Sequence, residues 1–118
     1  MKTFLAVYVG TPASMSKWDD LTDAQKLERQ KAGIAAWHAW AEKHAAVVVD
    51  MGGPLGKTKS VGPRGISDIR NAMTGYTLVK AESHEAAAKL FEGHPHFTIF
   101  PGDAVEIMEV LPVPGVTG

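Results

Sequence analysis

The sequence contains no cysteine, which excludes disulfides, thiolate catalysis and cysteine-based zinc or iron–sulfur sites. This absence is also typical of cytoplasmic proteins, and we expect the protein to be cytoplasmic. The formal net charge is −1, so no basic excess is present to drive binding to nucleic acid or to an anionic membrane. We therefore expect neither nucleic acid nor a membrane as a partner.

Long apolar runs and the short motifs of several enzyme classes are absent too. The apolar run at residues 4–9 is too short to span a membrane and has no cleavage site after it, which argues against a signal peptide. No Walker or GxGxxG pattern supports nucleotide binding, and no Gly-x-Ser-x-Gly pattern supports a serine hydrolase. No cofactor is indicated by any motif, and we expect none.

What is present is the composition of one globular domain. The 118 residues are enough for a single domain, which we take to span residues 1–118. Hydrophobic residues make up 45% and charged residues 21%, so the chain is expected to fold. Periodicity and turn residues predict four strands and two helices in the order β-α-β-β-α-β. In chain order these elements are residues 3–9, 23–44, 46–51, 73–81, 83–92 and 104–111.

Three segments between these elements lack a clear period. Residues 13–21 are interpreted as a connector, although Thr22 and Gln25 form a capping box at the start of the helix that follows. Residues 55–72 are long and rich in glycine and cationic side chains, which predicts an irregular flap over a pocket. Residues 94–103 are interpreted as an aromatic loop.

The element order is that of a ferredoxin-like split βαβ fold, with both helices on one face of a four-stranded antiparallel sheet. The other face of such a sheet should show polar alternation, but residues 3–9 and 104–111 are apolar on both faces. An open apolar face of that size exceeds what a soluble monomer usually exposes. The sequence therefore predicts a homodimer in which two sheets pack face to face about a twofold axis.

Several short motifs also occur in the order seen in one known family. A histidine-bearing helix and a strand lead into Gly-Gly-Pro-Leu at residues 52–55, and His-Pro-His-Phe at residues 94–97 precedes a Glu-containing final strand. In these features residues 35–112 resemble the YCII-related proteins, small members of the dimeric α+β barrel superfamily. The resemblance implies a dimeric α+β barrel but no single chemistry, because the superfamily includes isomerases, cofactor-independent oxygenases, haem-handling enzymes and ligand-sensing domains.

The resemblance also bears on a histidine–aspartate dyad proposed for that family. In the family the histidine lies on the first helix and the aspartate in a late Asp-Pro-aromatic segment. In this chain His94 stands at the position of the aspartate, and Ala36 at that of the helix histidine, with His38 two residues away. His44 is similar in register to a second, less regular family histidine. Neither residue of the family's histidine–aspartate dyad therefore stands at its own position in this chain.

Histidines and one aspartate are the candidates for acid–base chemistry. His38 borders the apolar stripe of the long helix and could act as a general base. His94 and His96 would point the same way if the loop is extended, and Asp103 could orient either imidazole. We assign candidate catalytic roles to His94, His38 and Asp103, and a ligand-binding role to His96. Each residue also has an ordinary structural explanation, as a boundary or turn residue.

Further residues are candidates for ligand binding. Trp37 and Trp40 could form aromatic walls of a pocket, although core or interface packing is the alternative for both. The cations of the predicted flap could bind a carboxylate or phosphate, and we expect at least one of them to face inward. These cations are Lys57, Lys59, Arg64 and Arg70.

The loop at residues 94–103 is expected to place His94 and His96 near one pocket mouth, with Phe97 and Phe100 buried beneath them. The same imidazoles could ligate a metal, but the preferred interpretation is a site without one. The further ligands that such a metal would need are Asp103, Asp50 and His38.

Two functions fit these residues. The first is a small-molecule enzyme that uses imidazoles for proton transfer in a pocket between helix, sheet and the 55–72 flap; it is motivated by five histidines in the chain. The second is a non-catalytic dimeric module that binds or senses the same ligand. A catalytic histidine should line a cavity and have a partner for its second nitrogen. The environment of the histidines therefore distinguishes the enzyme from the binding module.

Overall fold

The computed structural model describes residues 1–115. In chain order its elements are β1 (Lys2–Val9), α1 (Pro12–Asp19), α2 (Asp23–Lys43), β2 (Val48–Pro54), β3 (Thr58–Gly62), β4 (Gly65–Ile69), β5 (Met73–Ala81), α3 (His84–Lys89), α4 (Pro95–Thr98) and β6 (Ala104–Glu109). Four strands form an antiparallel sheet of order β2-β5-β1-β6, and α2 and α3 pack on one face of it. The predicted α+β, ferredoxin-like fold is confirmed.

The core lies between the sheet and the helices α2 and α3. Alternate side chains of β1, Phe4, Ala6 and Tyr8, are buried on the helix-covered face, as the strand period requires. Trp40 enters from α2, and its indole N–H donates to the carbonyl oxygen of Leu90 over 2.8 Å. This bond satisfies the one polar atom that the large side chain brings into the core.

The long helix begins where the capping box was predicted. The backbone N–H of Gln25 donates to the Thr22 hydroxyl over 3.1 Å, and the Thr22 backbone N–H donates to the Gln25 side-chain carbonyl over 2.9 Å. The two bonds satisfy donors that the first helical turn leaves free. The helix ends at Lys43, one residue before the predicted end.

The second face of the sheet carries an uncovered apolar strip, and Lys80 and Glu106 lie on the same face. Leu5 of β1 pairs with Leu78 of β5 on one side and with Met108 of β6 on the other, so these three side chains lie side by side. Within residues 1–115, the helices of the core cluster all pack against the opposite face. The apolar surface on which a homodimer was predicted is therefore present in a single chain.

The predicted connector at residues 13–21 is wrong, because most of it belongs to α1. The Thr11 hydroxyl accepts from the backbone N–H of Ser14, and Pro12 occupies the first turn, where its missing N–H costs nothing. Both start signals are visible in the sequence. The segment was misjudged because its apolar residues are too few to show a helical period.

The predicted end of the second strand at Met51 is also wrong, since β2 continues to Pro54. The pairing of β2 with β5 shifts register twice, and Gly52 adopts a positive φ of 65° at one of these shifts. β2 is the edge strand of the sheet, where a proline removes no needed hydrogen bond.

The segment at residues 55–72 is a β-hairpin rather than an irregular flap. β3 and β4 form a separate two-stranded sheet in which Val61 lies opposite Ile66 and Gly62 opposite Gly65. Gly65 has a φ of 110°, which suits the tight turn between the strands. All residues from 61 to 70 are exposed, so the hairpin projects into solvent.

The predicted extended loop at residues 94–103 contains the short helix α4. His94 is the N-cap of this helix, and Pro95 stands at its first turn. His94 and His96 therefore do not point the same way, as they would in an extended chain. Phe97 is exposed, whereas it was expected to be buried beneath the histidines.

Candidate functional site

A cavity of about 390 Å³ lies between α2 and the end of the sheet where β2 pairs with β5. Its walls are mainly aromatic and apolar, and the side chains that form them are Tyr8, Ile34, Trp37, Met51, Pro54 and Phe100. Two imidazoles also line it, those of His38 and His96. The cavity therefore brings together His38, His96 and Trp37 from the residues predicted for the site.

His96 is held in one orientation by the backbone around it. Its Nε2 lies 2.8 Å from the carbonyl oxygen of Val9, which can only accept, so Nε2 carries the proton. The ring also packs flat against Gly102, where any Cβ would overlap it. In the neutral ring Nδ1 is then the basic nitrogen, and no side-chain hydrogen bond to it occurs within the described residues.

Tyr8 adds a polar atom that the sequence did not single out. Its hydroxyl lies 2.7 Å from the Thr77 hydroxyl, which in turn lies 3.0 Å from the carbonyl oxygen of Met51. Because Thr77 donates to that carbonyl, Tyr8 donates to Thr77. Burial raises the pKa of Tyr8, so it stays a neutral phenol whose oxygen can still accept a hydrogen bond. Only the alternation of β1 could have indicated its inward position.

His94 lies beneath the cavity rather than at its mouth, which contradicts the prediction. The residue is 1% exposed, and its ring centroid is 4.6 Å from that of Trp37 and 5.1 Å from that of Trp40. Its Nδ1 accepts from the backbone N–H of His96 over 3.0 Å. Burial, with a smaller effect of the neighbouring His96, lowers the pKa of His94 to about 4. His94 is thus a neutral helix cap at physiological pH.

Asp103 is not bonded to an imidazole in the part of the chain that the structure describes. Its carboxylate accepts from the Thr11 backbone N–H over 2.6 Å and from the Ser14 hydroxyl. These bonds, that of Ser14 first, lower the pKa of Asp103. The expected role of orienting His94 or His96 is therefore replaced by anchoring the start of α1.

The cations of the hairpin are exposed, and none of them lines the cavity of the same chain as far as residues 1–115 show. Lys59 pairs with Asp68 across the strands over 2.7 Å. The expectation that one of Lys57, Lys59, Arg64 and Arg70 faces a pocket beneath the segment is wrong. The physical reason is that cross-strand pairing holds the segment as a hairpin away from the domain.

Residues 1–115 contain no group of three or more histidine, aspartate or glutamate side chains arranged to hold a metal ion. In the same residues, no helix is long and apolar enough to cross a membrane.

Comparisons with known proteins support the fold. No protein-family model matches the chain, and no curated protein matches it. Among solved structures, a similar one is 5-chloro-2-hydroxyhydroquinone dehydrochlorinase (TftG) from Burkholderia phenoliruptrix AC1100 in complex with 2,5-dihydroxybenzoquinone. The two chains are 20% identical, 90% of each is covered, and the TM-score is 0.52. This chain therefore shares its α+β fold with TftG.

Proposed function

We propose that this protein binds a small ring compound bearing a hydroxyl group and transfers a proton to or from it with His96. The observation that carries the proposal is the state of His96 in the cavity. Its Nε2–H is committed to the Val9 carbonyl, while no side-chain hydrogen bond to Nδ1 occurs within the described residues. This matches the requirement that a catalytic histidine line a cavity and have its second nitrogen held.

The fixed hydrogen bond favours proton transfer at Nδ1. When Nδ1 takes a proton, the ring becomes cationic, and its Nε2–H bond to the Val9 carbonyl becomes charge-assisted and stronger. The packing of the ring against Gly102 keeps Nδ1 in place during the transfer. General acid–base catalysis of this kind contributes roughly a hundredfold to ten-thousandfold in rate.

The size and walls of the cavity favour a flat ring as the ligand. A volume of about 390 Å³ suits a small molecule, and the rings of Tyr8, Trp37 and Phe100 offer flat apolar surfaces. The Tyr8 oxygen can accept from a hydroxyl of the ligand, because its own proton goes to Thr77. TftG, which has the same type of fold, was solved with a dihydroxylated quinone ring.

The alternative is a module that binds the same class of ligand without converting it. It is favoured by one observation: within residues 1–115, no carboxylate is hydrogen-bonded to either cavity imidazole. Catalytic histidines are often oriented by a carboxylate, and here a backbone carbonyl takes that place.

The test begins with a panel of hydroxylated aromatic and quinoid compounds, including 2,5-dihydroxybenzoquinone, screened by thermal shift and then by turnover. His96→Gln keeps a side-chain N–H for the Val9 carbonyl but has no titratable nitrogen. We expect it to bind each hit within several-fold of the wild type and to lose at least a hundredfold in kcat. His84→Gln is the matched control, because the Nε2 of His84 also lies within hydrogen-bond distance (2.7 Å) of a backbone carbonyl oxygen, that of Ile107, but His84 does not line the cavity; its kcat should be unchanged.

Undiminished turnover in His96→Gln would disprove the role of His96. Hits that bind tightly and are not converted by the wild-type protein would favour the binding module instead.

We also propose that the protein is a YCII-related homodimer formed through the uncovered sheet face. Support comes from the Gly-Gly-Pro-Leu and His-Pro-His-Phe motifs and from the contiguous side chains of Leu5, Leu78 and Met108. Burying this apolar surface in a second sheet removes it from water, which stabilises the pair.

Light scattering is expected to give twice the chain mass of 12.6 kDa at micromolar concentration. Leu78→Glu, which places a charge in the centre of the open face, should shift the mass to that of one chain. Lys43→Glu at the end of α2 serves as the control and should leave the mass unchanged. A wild-type protein that scatters as a single chain would refute the dimer.

A further inference from the structure

The hairpin of β3 and β4 forms an arm that does not pack on its own domain. Its strands pair only with each other, and no other element of residues 1–115 packs extensively against them. The radius of gyration is 16.4 Å, whereas a compact domain of this length should have roughly 13.5 Å. The principal extents of 53 × 43 × 18 Å are likewise those of an elongated molecule.

An arm of this kind is poorly stabilised by itself. A lone two-stranded hairpin is marginally stable in water. Near its tip Val61 and Ile66 lie opposite each other and are 76% and 71% exposed. A cross-strand pair of β-branched side chains contributes little unless another surface covers it. Two large apolar side chains near the tip of the arm are therefore left in contact with water.

The root of the arm is fixed at the rim of the cavity. The arm leaves the sheet after Pro54 and returns at Thr74, and both of these residues line the cavity. The Leu55 backbone N–H donates to the Thr74 carbonyl oxygen over 2.9 Å, which ties the two ends together. The arm thus starts beside the cavity of its own chain and extends away from it.

A second exposed apolar surface lies on α2, beside the same cavity. Leu27 and Ile34 are 53% and 48% exposed, and their spacing of seven residues places them on one side of the helix. Ile34 also forms part of the cavity wall. The chain therefore carries an uncovered apolar arm tip and an uncovered apolar patch at its cavity.

The charged residues near the arm and near Leu27 also bear on whether these two apolar surfaces can meet. The arm carries four cationic side chains and one acidic side chain, Asp68. Asp19, Asp20 and Asp23 lie where α1 leads into α2, next to the turn that bears Leu27, and none of the three makes an ion pair within residues 1–115. The arm's cations would therefore meet acidic side chains at the Leu27 end of the patch, whereas Lys31 lies between Leu27 and Ile34 on the same side of α2 and could face Asp68 of the arm.

We infer that the arm of a second copy lies on α2 and closes the cavity, with Val61 and Ile66 against Leu27 and Ile34. Twofold symmetry uses this contact twice, so one pair of chains covers both arm tips and both patches. The cavity is then complete only in the dimer, where the other chain supplies part of its cover. This inference rests on the dimer and the cavity of the proposed function.

The absence of cysteine makes a direct test possible, because every thiol can be placed by design. Two double variants pair a cysteine at the arm tip with one on the patch: Val61→Cys with Ile34→Cys, and Val61→Cys with Leu27→Cys. A disulfide requires Cβ atoms about 3.5–4.5 Å apart. Mild oxidation should convert at least one of the two double variants to a covalent dimer. This dimer should be seen on a non-reducing gel and lost with dithiothreitol.

Val61→Cys with Lys89→Cys, which places the second thiol on α3, is the control and should remain monomeric on the gel. An intramolecular disulfide in the test variants would show that the arm folds onto its own chain, and it would overturn the inference. No cross-link in either test variant, with light scattering still giving two chains, would overturn the arm contact and leave the dimer standing. A single-chain mass would instead refute the dimer itself.

Discussion

His94→Asn is expected to lower the free energy of unfolding by roughly 2–3 kcal/mol at pH 7, because it removes ring atoms from a closely packed aromatic cluster. The imidazole is 1% exposed and contacts Tyr8, Trp37 and Trp40. Asparagine places its side-chain oxygen where Nδ1 now accepts from the backbone N–H of His96, so the helix cap is retained. The loss therefore measures the packing of the ring.

The same substitution should change the response of stability to acid. The pKa of His94 is about 4 in the folded protein, compared with 6.5 for an ordinary histidine, because burial disfavours the cation. Above pH 6.5 both states are neutral at this residue and its contribution is intact. Between pH 6.5 and 4 the unfolded chain binds a proton that the folded chain does not, so stability falls as the pH falls.

The loss of stability that His94 causes on acidification is large enough to measure. From pH 7 to pH 5 the wild-type protein should lose about 2 kcal/mol through His94, beyond the loss from other groups. Urea denaturation at both values should show His94→Asn losing that much less than the wild type. His38→Asn, at an exposed position, should follow the wild type. Equal acid losses in His94→Asn and the wild type would mean that His94 is not held neutral in the folded state.

The two imidazoles at residues 94 and 96 show where sequence reasoning reached the site and where it failed. An extended loop would direct both the same way, but Pro95 begins a helix that makes His94 a cap and sends His96 into the cavity. Proline after a capping residue is a helix-start signal, and it was present in the sequence. The local backbone decides that His96 lines the cavity and that His94 does not.

The fold was more predictable than the connections. The capping box at Thr22 and the element order were sufficient for α2 and the four-stranded sheet. The hairpin at residues 55–72 was missed because polar residues at both faces of β3 and β4 hide the strand period. Its register depends on pairing through the turn between Gly62 and Gly65, which no pattern within either strand reveals.

Tyr8 and the Val9 carbonyl were missed for another reason. Both lie on β1, whose sequence shows burial but not which atoms meet which partners. The hydrogen bonds that define their roles join residues far apart in the chain: Tyr8 to Thr77, and Val9 to His96. Only the assembled sheet brings these partners together, so the tautomer of His96 could not be inferred beforehand.

Gly52 and Gly53 are adjacent, yet alanine should have very different effects at the two positions. Gly52 has a φ of 65°, a conformation that costs an ordinary residue roughly 1–2 kcal/mol. A Cβ there would lie 2.8 Å from the Tyr76 carbonyl carbon and would overlap its oxygen. Because these are backbone atoms of the paired strand β5, no side-chain rotation can relieve the overlap.

We expect Gly52→Ala to lower the free energy of unfolding by about 3 kcal/mol or more, as the sum of backbone strain and overpacking. Gly53→Ala is the matched control, since its Cβ would have no atom within 4 Å and its φ is not positive. Urea denaturation should show Gly53→Ala within about 1 kcal/mol of the wild type, on either side. Gly52 also lines the cavity, so separating β2 from β5 there should weaken binding of any hit from the ligand screen. Equal stability of the two variants would mean that β2 does not follow the irregular path beside Tyr76 that shapes this wall of the cavity.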